Sequence, residues 1–139
     1  MPTIFVASSK TVQEWAGDVG LSKNIYKIGI GEDTAEAAIE AMNAETYAGV
    51  GDWVLIKKQV AGDEEEADLI ARLAGKEKEI DPNYYPKIRG ARGLFRIKVQ
   101  NVASAKLVQR ALAGEPNLQA SAKLKPKEIA EYMIRNALP

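Results

Sequence analysis

The stretch Ile-Tyr-Lys-Ile-Gly-Ile-Gly at residues 25–31 constrains the fold of this chain more than any other part of the sequence. It is apolar and β-branched, which predicts a buried strand, and Lys27 is its only charged side chain. Gly31 permits a sharp exit with a positive φ, and Asp33 or Thr34 can cap a helix directly afterwards. The segment therefore predicts a strand that passes through a glycine turn into a helix on the same sheet.

Hydrophobic periodicity predicts the remaining elements. Strands are predicted at 3–7, 25–30, 53–60 and 94–99, and helices at 35–44, 64–73, 102–112 and 127–138. A brief helical turn is predicted after the first strand, where Thr11 and Glu14 have capping-box spacing. Alternation puts the clean apolar face of the second strand on Tyr26, Ile28 and Ile30. The order β-β-α-β-α-β-α predicts an α+β domain with a small mixed or antiparallel sheet of about four strands, flanking helices and a C-terminal tail helix.

The composition excludes several kinds of chemistry. The 139 residues include no cysteine and no histidine, so disulfides, thiolate sites and imidazole bases are excluded. No apolar run approaches the roughly 18 residues that span a bilayer. The chain begins Met1-Pro2-Thr3 without a basic leader. We therefore expect a cytoplasmic protein without membrane contact, and no cofactor is predicted.

Two regions are expected along the chain. Residues 1–113 are predicted to form the α+β domain, and residues 114–139 a polar linker and an amphipathic helix. Ile129, Tyr132 and Met133 lie at helical spacing and form an apolar stripe on that helix. The stripe can dock on the body of the domain, or it can serve a protein partner or self-association.

The charges are distributed unevenly, although the formal net charge is zero. Residues 1–75 carry 6 Lys+Arg against 13 Asp+Glu, whereas residues 76–139 carry 13 against 6. The connection at residues 76–93 is long, and connections of this length are usually functional or disordered. Residues 84–98, which begin in this connection, combine basic residues with interleaved aromatic residues, as in faces that bind nucleic acid. The candidate nucleic-acid-binding residues are Tyr84, Tyr85, Lys87, Arg89, Arg92 and Arg96. The competing interpretation is that these cations neutralise the acidic half across the fold.

Tyr26-Lys27-Ile28-Gly29, with an alanine-rich helix after it, resembles the GIY-YIG nuclease superfamily in its phage-type T5orf172-like branch. An acidic helix and an Arg-x-x-Phe-like strand follow in that branch. Residues 64–67 and 92–95 stand in those places here. The resemblance covers about residues 3–112, and its motif positions are Phe5, Tyr26, Lys27 and Gly29.

The departures from this family decide what the resemblance implies about activity. The family uses a tyrosine on each of the first two strands, an arginine on the first helix and a metal-binding glutamate. Phe5 has no hydroxyl, Ala37 and Ala38 stand where the arginine belongs, and Gly93 stands where the phage-type pattern has an acid. Phosphodiester cleavage needs charge neutralisation and an activated water. The resemblance therefore implies a domain without nuclease activity, and no catalytic or metal-binding residue is assigned.

Three functions remain open from the sequence. The first is a catalytically inactive GIY-YIG-like domain that binds DNA or RNA, or serves as a phage or mobile-element accessory protein. The second is a protein-interaction module that uses the C-terminal helix. The third is a metal-dependent nuclease with relocated carboxylates, for which residues 63–68 offer an acidic cluster.

Overall fold

One antiparallel sheet forms the middle layer of the protein. The computed structural model describes residues 2–21, 24–80, 92–112, 114 and 125–138. Among these residues, five strands pair in the order β3-β1-β2-β5-β4, and each pairing is antiparallel. The strands are β1 Thr3–Ser9, β2 Ile25–Gly31, β3 Trp53–Val60, β4 Lys78–Glu79 and β5 Leu94–Arg96. The α+β prediction is confirmed. The strand β4 was not predicted, because two residues are too few to show an alternation.

Helices cover both faces of the sheet. The described helices are α1 Lys10–Asp18, α2 Ala35–Ala44, α3 Glu66–Ala74, α4 Val99–Leu112 and α5 Pro126–Ala137, with a 3₁₀ turn at Tyr47–Gly49. One core contains apolar residues of α1 and α2, and the other contains those of α3, α4 and α5. None of the helices in the described ranges has the length and apolar character that a membrane crossing requires.

The strand β2 is buried on both faces. Tyr26 and Ile28 belong to the core beneath α3, α4 and α5, as the predicted alternation requires. Ile25 on the opposite face is buried beneath α1 and α2, so the expectation of a single apolar face was too narrow. A strand that is covered by helices on both faces has apolar side chains on both faces.

The exit from β2 differs from the prediction. Gly31 does not have a positive φ and is paired with Thr3 as part of the strand. A Cβ at Gly31 would lie 2.9 Å from the Thr34 carbonyl oxygen and 3.0 Å from the Ala38 Cβ. Thr34 caps α2, because its hydroxyl accepts a hydrogen bond from the Ala37 N–H. Gly31 is therefore needed for close packing of the helix start and not for its own torsion angles.

The first helix is longer than the predicted turn and has a different cap. The hydroxyl of Ser9 accepts a hydrogen bond from the Val12 N–H at 3.2 Å and donates one to Asp52. Thr11, the predicted cap, donates its N–H and its hydroxyl to Asp52 Oδ2 at 3.0 and 2.8 Å. The hydrogen bond from Ser9, followed by those from Thr11, lowers the pKa of Asp52 from its ordinary value. Because Asp52 is distant in sequence, the local pattern did not show that it accepts both donors of Thr11 and leaves Ser9 as the cap.

The C-terminal helix packs on its own domain. Ile129 and Met133 are buried in the core with residues of β1, β2 and α3. The Arg72 guanidinium also donates to the Ala137 carbonyl at 3.2 Å, which ties the end of α5 to α3. The proposal of a partner surface at Ile129, Tyr132 and Met133 is therefore corrected at its two aliphatic members, because their side chains already fill the core. Tyr132 is partly buried against the same core.

We expect Met133→Ala to lower the free energy of unfolding by about 2–5 kcal/mol, because it leaves a cavity in a fully packed core. Urea denaturation followed by circular dichroism measures this change. Lys127→Ala, on an exposed position of the same helix, is the control and should change the free energy by less than about 0.5 kcal/mol. Equal effects of the two substitutions would contradict the placement of α5 in the core.

Candidate nucleic-acid interface

The predicted site residues fall into two groups. Tyr84, Tyr85, Lys87 and Arg89 lie outside the described residues. Arg92 and Arg96 are described, as are the family-motif positions Phe5, Tyr26, Lys27 and Gly29. Two separate sites contain most of these six residues, namely a polar cluster around Lys27 and a basic groove around Arg96, whereas Tyr26 belongs to neither.

Lys27 is the centre of the polar cluster. Its side chain is buried, and its ammonium donates to the Arg92 carbonyl oxygen at 2.7 Å. Glu66 Oε1 lies 3.7 Å from the Lys27 Nζ, and the Tyr47 ring centroid lies 5.1 Å from it. Burial lowers the pKa of Lys27, and the negative charge of Glu66 opposes that effect. The cation is thus held inside the fold by one carbonyl, one carboxylate and one aromatic face.

Glu66 reaches Lys27 through a gap at the edge of β2. The strand β5 pairs with β2 only at Ile25, Tyr26 and Lys27, and the Ile28 N–H donates to the Gly93 carbonyl. The next N–H on that edge, of Ile30, donates to Glu66 Oε1 at 3.1 Å. Glu66 therefore satisfies the edge where β5 is missing. The sequence contained one indication of this contact, since a lysine in a buried strand requires an acidic partner.

The motif residues divide between the two faces of the sheet. Phe5 on β1 is the register partner of Gly29, and a Cβ at Gly29 would lie 2.6 Å from Glu66 Oε1 and 2.9 Å from the Phe5 ring. Tyr26 lies on the opposite face in the other core, where burial raises the pKa of its phenol. The one motif tyrosine is therefore on the other side of the sheet from Lys27.

Tyr47 joins the cluster from a strained turn that the sequence did not indicate. Thr46 and Ala48, on either side of it, have φ values of 50° and 57°. The Tyr47 phenol donates to the Arg92 carbonyl at 2.7 Å, and its own carbonyl accepts from the Trp53 indole at 2.9 Å. Burial, with a smaller contribution from the charge of Glu66, raises the pKa of Tyr47 to about 12. These contacts offset the cost of the left-handed residues, about 1–3 kcal/mol each.

The exposed side chain of Arg92 is engaged in an ion pair with Glu79. Its guanidinium donates to both carboxylate oxygens of Glu79, at 2.9 and 3.3 Å, and its carbonyl accepts from Lys27 and Tyr47. Glu79 also accepts the Gly93 N–H at 3.0 Å. The charge of Arg92 is therefore offset locally, which makes it a weaker candidate for a phosphate contact than Arg96.

The acidic segment before α3 does not form a metal site in the described part of the chain. Glu64 accepts the Gly62 N–H, and Glu66 turns towards Ile30 and Lys27. Within the described ranges, no group of three or more acidic side chains is arranged to hold a metal ion.

The basic groove lies at the β4–β5 edge and consists of two adjoining concavities. The cationic half, of about 270 Å³, is lined by Lys76, Glu77, Lys78, Arg96, Lys98 and Asn101. The neutral half, of about 330 Å³, is lined by Asn24, Ile97, Val99 and Gln100 and shares Arg96 and Lys98 with the first. The two concavities are therefore neighbours, with Arg96 and Lys98 lying between them.

Lys78 and Arg96 are direct cross-strand partners in the cationic half. Their side chains therefore project from the same face of the β4–β5 pair, about 4.5–5.5 Å apart at Cβ. In the described ranges, none of the four cations of this half forms an ion pair with a carboxylate. The fold thus brings four cations together at one place, and among the residues that line it Glu77 is the only carboxylate.

Glu77 also lines the cationic half, and its carboxylate accepts hydrogen bonds from other parts of the fold. It is buried, and its carboxylate accepts the Lys98 N–H at 2.8 Å and the Asn101 amide at 2.7 Å. The Tyr132 phenol donates to it at 3.3 Å. Glu77 therefore occupies the N-terminus of α4, where a negative charge is stabilised by the helix dipole.

Comparison with known proteins does not identify a family for this chain. No family model matches the chain, and neither a curated protein nor a solved structure matches it.

We expect Gly93→Ala to lower the free energy of unfolding by roughly 3–5 kcal/mol, since overpacking adds to left-handed strain. A Cβ there would lie 2.5 Å from the Ile28 carbonyl oxygen and 2.9 Å from the Lys27 Nζ, at a φ of +84°. Gly20→Ala is a matched control, because its φ is +85° and nothing lies within 4 Å of the added Cβ. The control should cost about 1–2 kcal/mol by chemical denaturation. Equal losses would contradict the close packing of Gly93 against the Ile28 carbonyl and Lys27.

Tyr47 should make stability sensitive to alkali. Its folded-state pKa of about 12 is raised, so its contribution is complete below the unfolded pKa and is lost as the pH rises towards 12. The stability advantage of the wild type over Tyr47→Phe, measured by urea denaturation, should therefore be smaller at pH 11 than at pH 8. An advantage that stays constant or grows over this range would contradict the assigned environment of the phenol.

Proposed function

We propose that this protein is a catalytically inactive GIY-YIG-like domain that binds DNA or RNA through the phosphate backbone. The observation that supports binding most strongly is the cross-strand pair of cations, Lys78 and Arg96, which has no carboxylate partner in the described ranges.

The physical argument begins with the cost of this pair. Like charges directly opposite each other across two strands are destabilising, by about 0.2–1 kcal/mol. An anion bound between them removes that cost, and Arg96 can donate two parallel hydrogen bonds to a phosphate. Lys76 and Lys98 line the same concavity and add two further positive charges. A phosphate backbone neutralises several such cations at once and releases its counterions.

The cluster around Lys27 supports the assignment to a GIY-YIG-like domain. Two antiparallel strands bring Phe5 opposite Gly29, and α3 brings Glu66 next to the same glycine. Gly93 stands where the phage-type pattern has its acid, and Glu66 is a carboxylate that the fold places next to Gly29 instead. Its Oε1 already accepts from the Ile30 N–H and faces the Lys27 ammonium.

The same cluster supports binding without cleavage. Phe5 supplies no hydroxyl, and the helix α2 contains no arginine for the scissile phosphate. The Lys27 ammonium and the Tyr47 phenol both donate to the carbonyl of Arg92. The groups that would have to act on a phosphodiester are either missing or engaged in holding the fold.

Fluorescence anisotropy with labelled 20-nucleotide DNA and RNA, single-stranded and duplex, tests the proposal at several salt concentrations. We expect binding that weakens with salt, and Lys78→Gln/Arg96→Gln should weaken it further. Each lost phosphate contact should reduce the slope of log K against log salt by about 0.9 for duplex DNA or 0.7 for a single strand. The double variant should be at least as stable as the wild type, because a like-charge contact is removed.

Lys10→Gln/Lys57→Gln is the matched control, since it removes the same charge from α1 and from the opposite edge of the sheet. It should leave the salt slope unchanged. Equal effects of the two double variants, or no binding at low salt, would refute the proposed interface. A parallel incubation with Mg²⁺ or Mn²⁺ should leave the nucleic acid intact, and cleavage would favour the metal-dependent nuclease instead.

A further inference from the structure

The two halves of the basic groove differ in chemistry, and this difference indicates which form of nucleic acid it takes. We infer that the groove binds a single strand, with a phosphate in the cationic half and the adjoining nucleoside in the neutral half. This inference rests on the proposed function and specifies its ligand.

The neutral half has the character of a site for a base or a sugar. Val99, the first residue of α4, is 39% exposed, and the exposed Gln100 follows it. A nucleobase combines an apolar face with hydrogen-bonding edges, and the side-chain amide of glutamine can pair with such an edge. An aliphatic side chain next to an amide at one wall of a concavity fits both properties.

The size and position of the halves favour one strand over a duplex. The neutral half measures about 330 Å³, close to the lower limit for ligand pockets. In a duplex, the bases are stacked and paired, whereas an unpaired strand can turn a base out into a protein pocket. Because Arg96 and Lys98 border both halves, a phosphate held by them leaves its own nucleoside next to Val99 and Gln100.

The attraction for phosphate comes from the side chains and not from the start of α4. Glu77 already accepts the Lys98 N–H and the Asn101 amide at that helix end. Its carboxylate fills the position that an anion would take at a free helix N-terminus. The cationic half must therefore act through Lys76, Lys78, Arg96 and Lys98, which is the pattern of an electrostatic channel for a backbone.

Competition binding tests the inference. A labelled 12-nucleotide single strand is displaced by the unlabelled strand or by its blunt duplex at equal phosphate concentration. We expect the single strand to compete at least tenfold better, a difference of about 1.4 kcal/mol. Val99→Ala/Gln100→Ala should weaken single-strand binding about tenfold without changing the salt slope, since no phosphate contact is lost.

Val108→Ala/Gln59→Ala is the matched control, because it truncates an exposed valine of the same helix and an exposed amide far from the groove. It should bind as the wild type does. Gln100→Glu provides a second variant if the double substitution fails to fold, and its added negative charge should also weaken single-strand binding.

Duplex competition equal to or better than that of the single strand would overturn the inference. Unchanged binding of the Val99 and Gln100 variants would overturn it as well. These outcomes differ from failure of the proposed function, in which neither strand form binds and Lys78→Gln/Arg96→Gln has no effect.

Discussion

The fold depends on the way it accommodates one buried cation, Lys27, in its second strand. An unpaired charge at this depth would cost several kcal/mol, so the surrounding structure must provide an acceptor and a counter-charge. The Arg92 carbonyl provides the first and Glu66 the second. These contacts connect the start of α3, the two residues before β5 and the turn that carries Tyr47 to the same strand. The contacts that offset the charge of Lys27 therefore also connect the elements on the two faces of the sheet.

Two glycines make this arrangement sterically possible. Gly29 leaves the space that Glu66 and the Phe5 ring occupy, and Gly93 allows the chain to pass close to the Ile28 carbonyl with a positive φ. The strained residues Thr46 and Ala48 present the Tyr47 phenol to the same carbonyl that Lys27 uses. Left-handed residues and glycines are thus concentrated around the motif. Such strained backbone conformations persist where the surrounding contacts hold them in place.

The charged side chains near Arg96, which pairs with the first residue of β2, are arranged differently from those near Lys27. Around Lys27 every charged group has a partner, and Glu79 offsets Arg92. Around Arg96 the fold brings Lys76, Lys78 and Lys98 together, and no acid in the described ranges pairs with them. The buried Glu77 is used by backbone and amide donors. The paired charges around Lys27 stabilise the fold, whereas the cations around Arg96 are those that we propose to contact an anionic ligand.

Local patterns in the sequence determined the elements of the fold. The buried strand at Ile25–Gly31, the cap at Thr34 and the amphipathic helices follow from periodicity and from hydrogen bonds three residues apart. The tertiary structure decided which distant groups meet. Asp52 accepted both donors of Thr11 and left Ser9 as the cap of α1, Glu66 reached Lys27 across a strand edge, and the two-residue β4 set Lys78 opposite Arg96. Such contacts depend on strand order and register, and a single sequence records neither, because hydrogen bonds between strands leave no periodic trace along the chain.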